Sequence, residues 1–130
     1  MGQPAARAGD RIVASDVHVV MVPSPTGAVP TPLPHPFDGE LSARLAASVL
    51  IGGKPTAVVG SEAVNAPPHL PQGGPFQKPP SNKGRVLTGS PTVLAEGKPV
   101  ARNGDTALTC NDPVDLPAGT VVAAGAVLVG

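Results

Sequence analysis

The chain has 130 residues, with 9 basic and 9 acidic side chains and a formal net charge of zero. Balanced charge excludes nucleic acid or an anionic membrane surface as the main partner, because both select a basic face. No run approaches the roughly 18 apolar residues of a membrane helix, no basic segment precedes an apolar stretch as in a secretory leader, and one cysteine cannot form an intrachain disulfide. The apolar content is dominated by 18 valines, which suit strands. With two phenylalanines and no tryptophan or tyrosine the core must be thin, and a thin core in a small domain calls for a metal or a partner.

An internal repeat runs along the chain. Gln3-Pro4-Ala5-Ala6-Arg7-Ala8-Gly9-Asp10 aligns with Lys98-Pro99-Val100-Ala101-Arg102-Asn103-Gly104-Asp105, identical at five of eight positions. A middle copy, Lys54-Pro55-Thr56-Ala57-Val58-Val59-Gly60-Ser61, keeps Pro, Ala and Gly but has Val58 for Arg and Ser61 for Asp. The preceding residues repeat too: Ser48-Val49-Leu50-Ile51-Gly52-Gly53 aligns with Thr92-Val93-Leu94-Ala95-Glu96-Gly97, and Thr120–Gly125 echoes them. Each reads as a short strand, a glycine turn with positive φ and a second short strand, with Pro confined to a strand start or an edge. In the Arg-x-Gly-Asp ending, Gly takes a second tight turn and Asp bonds its own backbone. Arg7 with Asp10 and Arg102 with Asp105 read as turn-stabilising pairs of small energetic weight.

Two proline-rich stretches, Pro23–Phe37 and Pro67–Pro80, read as long loops. Asp38 to Ala47 alone looks helical, with Asp38 as N-cap and Leu41 and Leu45 one turn apart. The expected architecture is mostly β: one small domain over residues 1–130, with repeats near 1–22, 48–69 and 88–112. A C-terminal hairpin is expected over 120–129, in which Val121-Val122 and Val127-Leu128-Val129 form part of the base or core.

The chain holds three histidines and one cysteine, His18, His35, His69 and Cys110. These are the preferred ligand types of zinc, which structural sites bind tetrahedrally. His18 lies eight residues after Asp10, His69 eight after the aligned Ser61, and Cys110 five after Asp105, while His35 sits in the first proline-rich stretch. Three repeats around one axis would bring such segments together. Isolated histidines in proline-rich loops are also often simply exposed, and the spacing matches no short zinc motif. If all four bind, the shell is full and the site is structural, at about one zinc per chain.

Pro4-Ala5-Ala6-Arg7 carries the signature of the PAAR-repeat family, which the sequence resembles at further points: Gly9-Asp10, Gly104-Asp105, and Gly89-Ser90-Pro91-Thr92-Val93 followed by Gly97-Lys98-Pro99-Val100-Ala101-Arg102. Pro34-His35-Pro36-Phe37 and Gly73-Gly74-Pro75-Phe76 look like PAAR-like variants encoded with phage-tail-like contractile systems. The resemblance implies a small cone of three β-hairpin repeats with pseudo-threefold symmetry and a zinc ion near its point. The ion would be held by three His and one Cys, here His18, His69, Cys110 and, as the remaining candidate, His35.

It further implies a non-enzymatic role as the tip of a contractile injection or type VI secretion spike. One copy would cap a trimeric VgrG-like protein, sharpen it for piercing a target membrane, and help attach effectors. Assembly in the bacterial cytoplasm without a signal peptide, then export with the particle, would follow. Two alternatives remain open on the sequence: a small zinc-dependent hydrolase, with Asp16 or Asp112 as general base, and an effector-binding adaptor built on the proline-rich stretches.

Overall fold

The computed structural model describes residues 2–130. Its strands are β1 (Gln3–Pro4), β2 (Arg11–Val22), β3 (Val29–Ala43), β4 (Ala46–Ile51), β5 (Lys54–Thr56), β6 (Glu62–Asn65), β7 (Lys83–Val86), β8 (Leu94–Ala95), β9 (Lys98–Pro99), β10 (Thr106–Thr109), β11 (Leu116–Val122) and β12 (Leu128–Val129). No helix is present among the described residues. Six strands close a barrel in the order β10-β11-β2-β3-β6-β7, and three two-stranded pairs, β1-β12, β4-β5 and β8-β9, stand at one end of it.

The repeat is a structural unit: a short hairpin, a glycine turn and a barrel hairpin, used three times. Barrel registers are equivalent in all three copies. Within the barrel hairpins Ile12 faces Gly39, Ala63 faces Gly84 and Ala107 faces Gly119. Between them Val121 faces Ile12, Leu41 faces Ala63 and Val86 faces Ala107.

The repeats meet in a cyclic hydrogen-bond ring. Ala57 N–H donates to Ala6 C=O at 3.0 Å, Ala101 to Ala57 at 2.9 Å, and Ala6 to Ala101 at 2.8 Å. A second ring runs from Ala8 to Pro55, Val59 to Pro99 and Asn103 to Pro4, at 2.8, 2.9 and 2.8 Å. After each ring position the chain turns through a glycine at positive φ, Gly9 (92°), Gly60 (95°) and Gly104 (90°), where a β-carbon would be strained. The next side chain closes the turn. Asp10, Ser61 and Asp105 each accept from the backbone N–H three residues back, at 3.0, 2.9 and 2.7 Å. Ser61 therefore does the work of the missing aspartate in the middle repeat. Arg102 pairs with Asp105 at 2.9 Å, whereas Arg7 donates instead to Ile51 C=O at 3.1 Å.

Three sequence expectations fail here. Residues 38–47 are not helical: Asp38–Ala43 complete β3, and Ala46–Ile51 form β4. Leu41 enters the barrel as part of an alternating pattern, buried at 35, 37, 39 and 41 and exposed between, so the helical spacing of Leu41 and Leu45 was incidental. The first proline-rich stretch is a loop only over residues 23–28. Residues 29–37 continue β3, paired with β2 from Val22↔Val29 to Ala14↔Phe37. Pro30, Pro32, Pro34 and Pro36 all fall on one parity, opposite Met21, Val19, Val17 and Ser15.

On the other strand, Val17, Val19 and Met21 send their N–H groups away from β3, to Asn111 Oδ1, Asp112 Oδ2 and Pro75 C=O. The prolines thus occupy non-hydrogen-bonded pairs, where a missing N–H costs the ladder nothing. They also leave the outer edge of β3 without donors that could recruit another strand.

Third, the hairpin over 120–129 does not form. Val121 and Val122 belong to β11 in the barrel, while β12 pairs with β1 through Gln3↔Val129 and Pro4↔Leu128. The third hairpin is assembled from both ends of the described chain, because β1 needs the partner that β4 and β8 supply to β5 and β9.

Inside the barrel, Leu41, Val86 and Val121 form one equivalent buried layer. The next layer is glycine in all three copies, Gly39, Gly84 and Gly119; the ring of fully buried Phe37 fills the space over Gly39 and Gly84, and Thr109 and Ile12 fill it over Gly119. A β-carbon on Gly39 would stand 2.9 Å from Val64 O and 3.0 Å from Phe37 Cε1. Gly39→Ala is therefore expected to destabilise the chain by about 1–3 kcal/mol through overpacking. An unchanged melting temperature would show that the layer is not close-packed.

Candidate metal centre

Beyond the glycine layer the barrel interior turns polar. Asp16 and His18 are successive inward residues of β2, and His35 is inward on β3. His69 lies in the segment between β6 and β7, and Cys110 follows β10 directly. All five are at least nine-tenths buried.

Donor atoms of Asp16, His18, His69 and Cys110 lie within 4.8 Å of one another. His35 stands beside this group, its ring centroid 5.7 Å from that of His18 and 5.8 Å from that of His69, with His18 and His69 at 4.9 Å. The structure thus brings His18, His69 and Cys110 together, sets His35 beside them rather than among the converging donors, and adds Asp16, which the sequence offered only as a catalytic base. Its signal was the alternation Ile12, Ala14, Asp16, His18 along β2, which fixes Asp16 and His18 on one face.

Asp16 Oδ2 accepts from His69 Nε2 at 2.9 Å and from the Cys110 thiol at 3.5 Å, while Oδ1 accepts from Thr109 Oγ1 at 2.5 Å and Asn111 Nδ2 at 3.4 Å. Cys110 Sγ is 3.6 Å from His18 Nε2. His69 is oriented by Asn65 Nδ2 on its Nδ1 at 3.2 Å, and by Asn82 Oδ1, which accepts its backbone N–H at 2.8 Å.

Among the described residues two buried side-chain nitrogens have no hydrogen-bond partner, His18 Nδ1 and His35 Nε2. His18 Nδ1 is 3.5 Å from Asp112 Oδ2, without hydrogen-bond geometry. His35 Nδ1 donates to Leu33 C=O at 2.9 Å, which fixes the tautomer and leaves Nε2 a free lone pair, as in a metal-binding histidine whose other ring N–H is held by a carbonyl. Buried polar atoms are rarely left unpaired. Imidazole, thiol and carboxyl donors around such orphans fit a borderline divalent ion such as zinc.

Phe76 closes the site from outside, its ring 5.7 Å from His18 and 5.3 Å from His35. It is held there by Met21 N–H to Pro75 C=O and Gln77 N–H to Val19 C=O, at 2.8 and 2.9 Å. Gly74 is required beneath, since a β-carbon would fall 1.9 Å from Met21 O.

A closed barrel of three repeated hairpins with a buried His/Cys/Asp cluster defines a small all-β protein with a candidate metal centre. Residues 76–129 match the family model of the PAAR motif. Neither the curated proteins nor the solved structures give a match.

Burial, then the Asp16 charge, pushes the Cys110 thiol up to about 11, and burial pulls the His18 imidazolium down from its ordinary 6.5. Both shifts favour the uncharged form. The thiol stabilises the metal-free fold fully below its ordinary 9.0, and that contribution is lost as pH rises towards about 11. The His18 contribution is present above 6.5 and lost as pH falls below it. Melting in excess chelator should therefore give maximal stability between pH 6.5 and 9.0, declining on both sides. A flat profile on the acid side would contradict burial of a neutral His18.

Proposed function

We propose that the chain is the tip of a contractile injection spike, one copy capping the blunt end of a trimeric β-helical VgrG-like protein. One observation carries this reading. The three short hairpins present equivalent Val-Leu pairs, Val49-Leu50, Val93-Leu94 and Val127-Leu128, each preceding the residue that pairs across the hairpin end, Ile51, Ala95 and Val129. Their leucines are 58, 60 and 60% exposed. An apolar hollow of about 320 Å³ lies between the hairpins. Equal apolar contacts repeated three times in one chain suit a trimeric partner, whose strand ends need covering.

On this reading His18, His35, His69 and Cys110 hold one structural zinc. The ion ties strands β2 and β3 to the segments after β6 and β10, and supplies cross-linking rather than chemistry. The chain assembles in the bacterial cytoplasm, leaves with the fired particle, contacts the target membrane only in passing, and offers the exposed residues of its 67–80 segment, which exclude His69 and Phe76, for effector attachment.

Native mass spectrometry of the chain co-expressed with a trimeric VgrG-like spike protein should show one copy per trimer. Replacing Leu50, Leu94 and Leu128 by Asp should abolish the complex and leave the isolated fold intact, since each buried leucine is worth about 1.5–3 kcal/mol. A complex that survives the triple substitution would overturn the docking face. Cys110→Ser should lower both zinc content and melting temperature, and unchanged zinc retention would remove Cys110 from the ligand set.

A further inference from the structure

Asp16 is fully buried, and among the described residues no lysine or arginine pairs with it. The groups facing it are the Thr109 hydroxyl, the Asn111 amide, the Cys110 thiol and His69 Nε2. Of these only His69 could pair as a cation, and its Nδ1 already accepts from Asn65 Nδ2, so the hydrogen bonds satisfy the oxygens without neutralising a charge. A carboxylate in so dry a place is costly unless a cation stands against it. A divalent ion held by three neutral imidazoles and one thiolate would in turn carry one uncompensated positive charge. Each imbalance is the remedy for the other.

We propose that Asp16 is the second anionic group of the metal centre and sets its preference for a divalent over a monovalent ion. The inference rests on the metal reading above. With Asp16 and the Cys110 thiolate the protein contributes two negative charges, which match a zinc-class ion and leave a cuprous ion over-compensated. Thr109 is the positioning residue: its hydroxyl fixes Asp16 Oδ1 and leaves Oδ2 towards His69 and Cys110.

Asp16→Asn tests this with two readouts of opposite sign. Zinc and cobalt(II) affinities, measured by competition with a chromogenic chelator, should fall about 10–100-fold, the usual cost of losing a supporting carboxylate. Cuprous affinity should fall less or rise, so that the Zn²⁺/Cu⁺ preference shifts towards Cu⁺. The metal-free melting temperature should rise, because a buried charge without a cation has been removed. Thr109→Val should lower zinc affinity by a smaller factor in the same direction.

An Asp16 serving only the hydrogen-bond network would lower the metal-free melting temperature on substitution and leave the Zn²⁺/Cu⁺ ratio unmoved, and either result overturns the proposal. If the unsubstituted chain binds no metal, the underlying reading has failed instead. If it binds zinc but Asp16→Asn binds it equally well, only the role of Asp16 has.

Discussion

Three alanines hold the molecule together at its centre. The amide of each donates to the carbonyl of the next, Ala6 to Ala101, Ala101 to Ala57 and Ala57 to Ala6, and all three are fully buried. Such a ring closes only if three chain segments approach one axis closely, and the fully enclosed positions leave their side chains no room beyond a methyl group. From it follow the second ring through Pro4, Pro55 and Pro99, the three glycine turns, and the three barrel hairpins that leave those turns in equivalent registers.

Threefold order is kept at the hairpin end and surrendered at the other. The hairpins match in their Val-Leu pairs, down to the exposure of their leucines. Above the glycine layer the copies diverge: β2 and β3 run on for twelve paired positions, β6 and β10 stop after four residues, and the donors come from strands and from loops alike. A structural zinc site takes four donors, a number that three equivalent copies giving one each do not supply. The repeat therefore builds the platform and its departures build the site. Between them Phe37 separates the apolar layers from the polar cluster, its ring 6.1 Å from His69.

The repeat, the glycine turns and the convergence of His18, His69 and Cys110 were legible in the sequence because each depends on local residue type in a repeated frame. The strand from Val29 to Ala43 was not. Its prolines signal a loop unless it is known that all four fall on the parity that donates nothing to β2. Pairing of β12 with β1 was hidden because it joins residues at opposite ends of the chain. Gly39, Gly84 and Gly119 serve as absent side chains, a role that shows only once the barrel registers place them in one layer. Asp16 was visible and assigned a different task, since charge balance inside a barrel appears only once burial is known.

The central claim is that this interior was shaped around an ion. Diffraction from crystals of the native chain, recorded on both sides of the zinc absorption edge, tests it most directly. The account predicts one anomalous peak per chain, enclosed by His18, His35, His69 and Cys110 with Asp16 against it. A peak elsewhere, or none in protein purified without chelator and supplied with zinc, would contradict it.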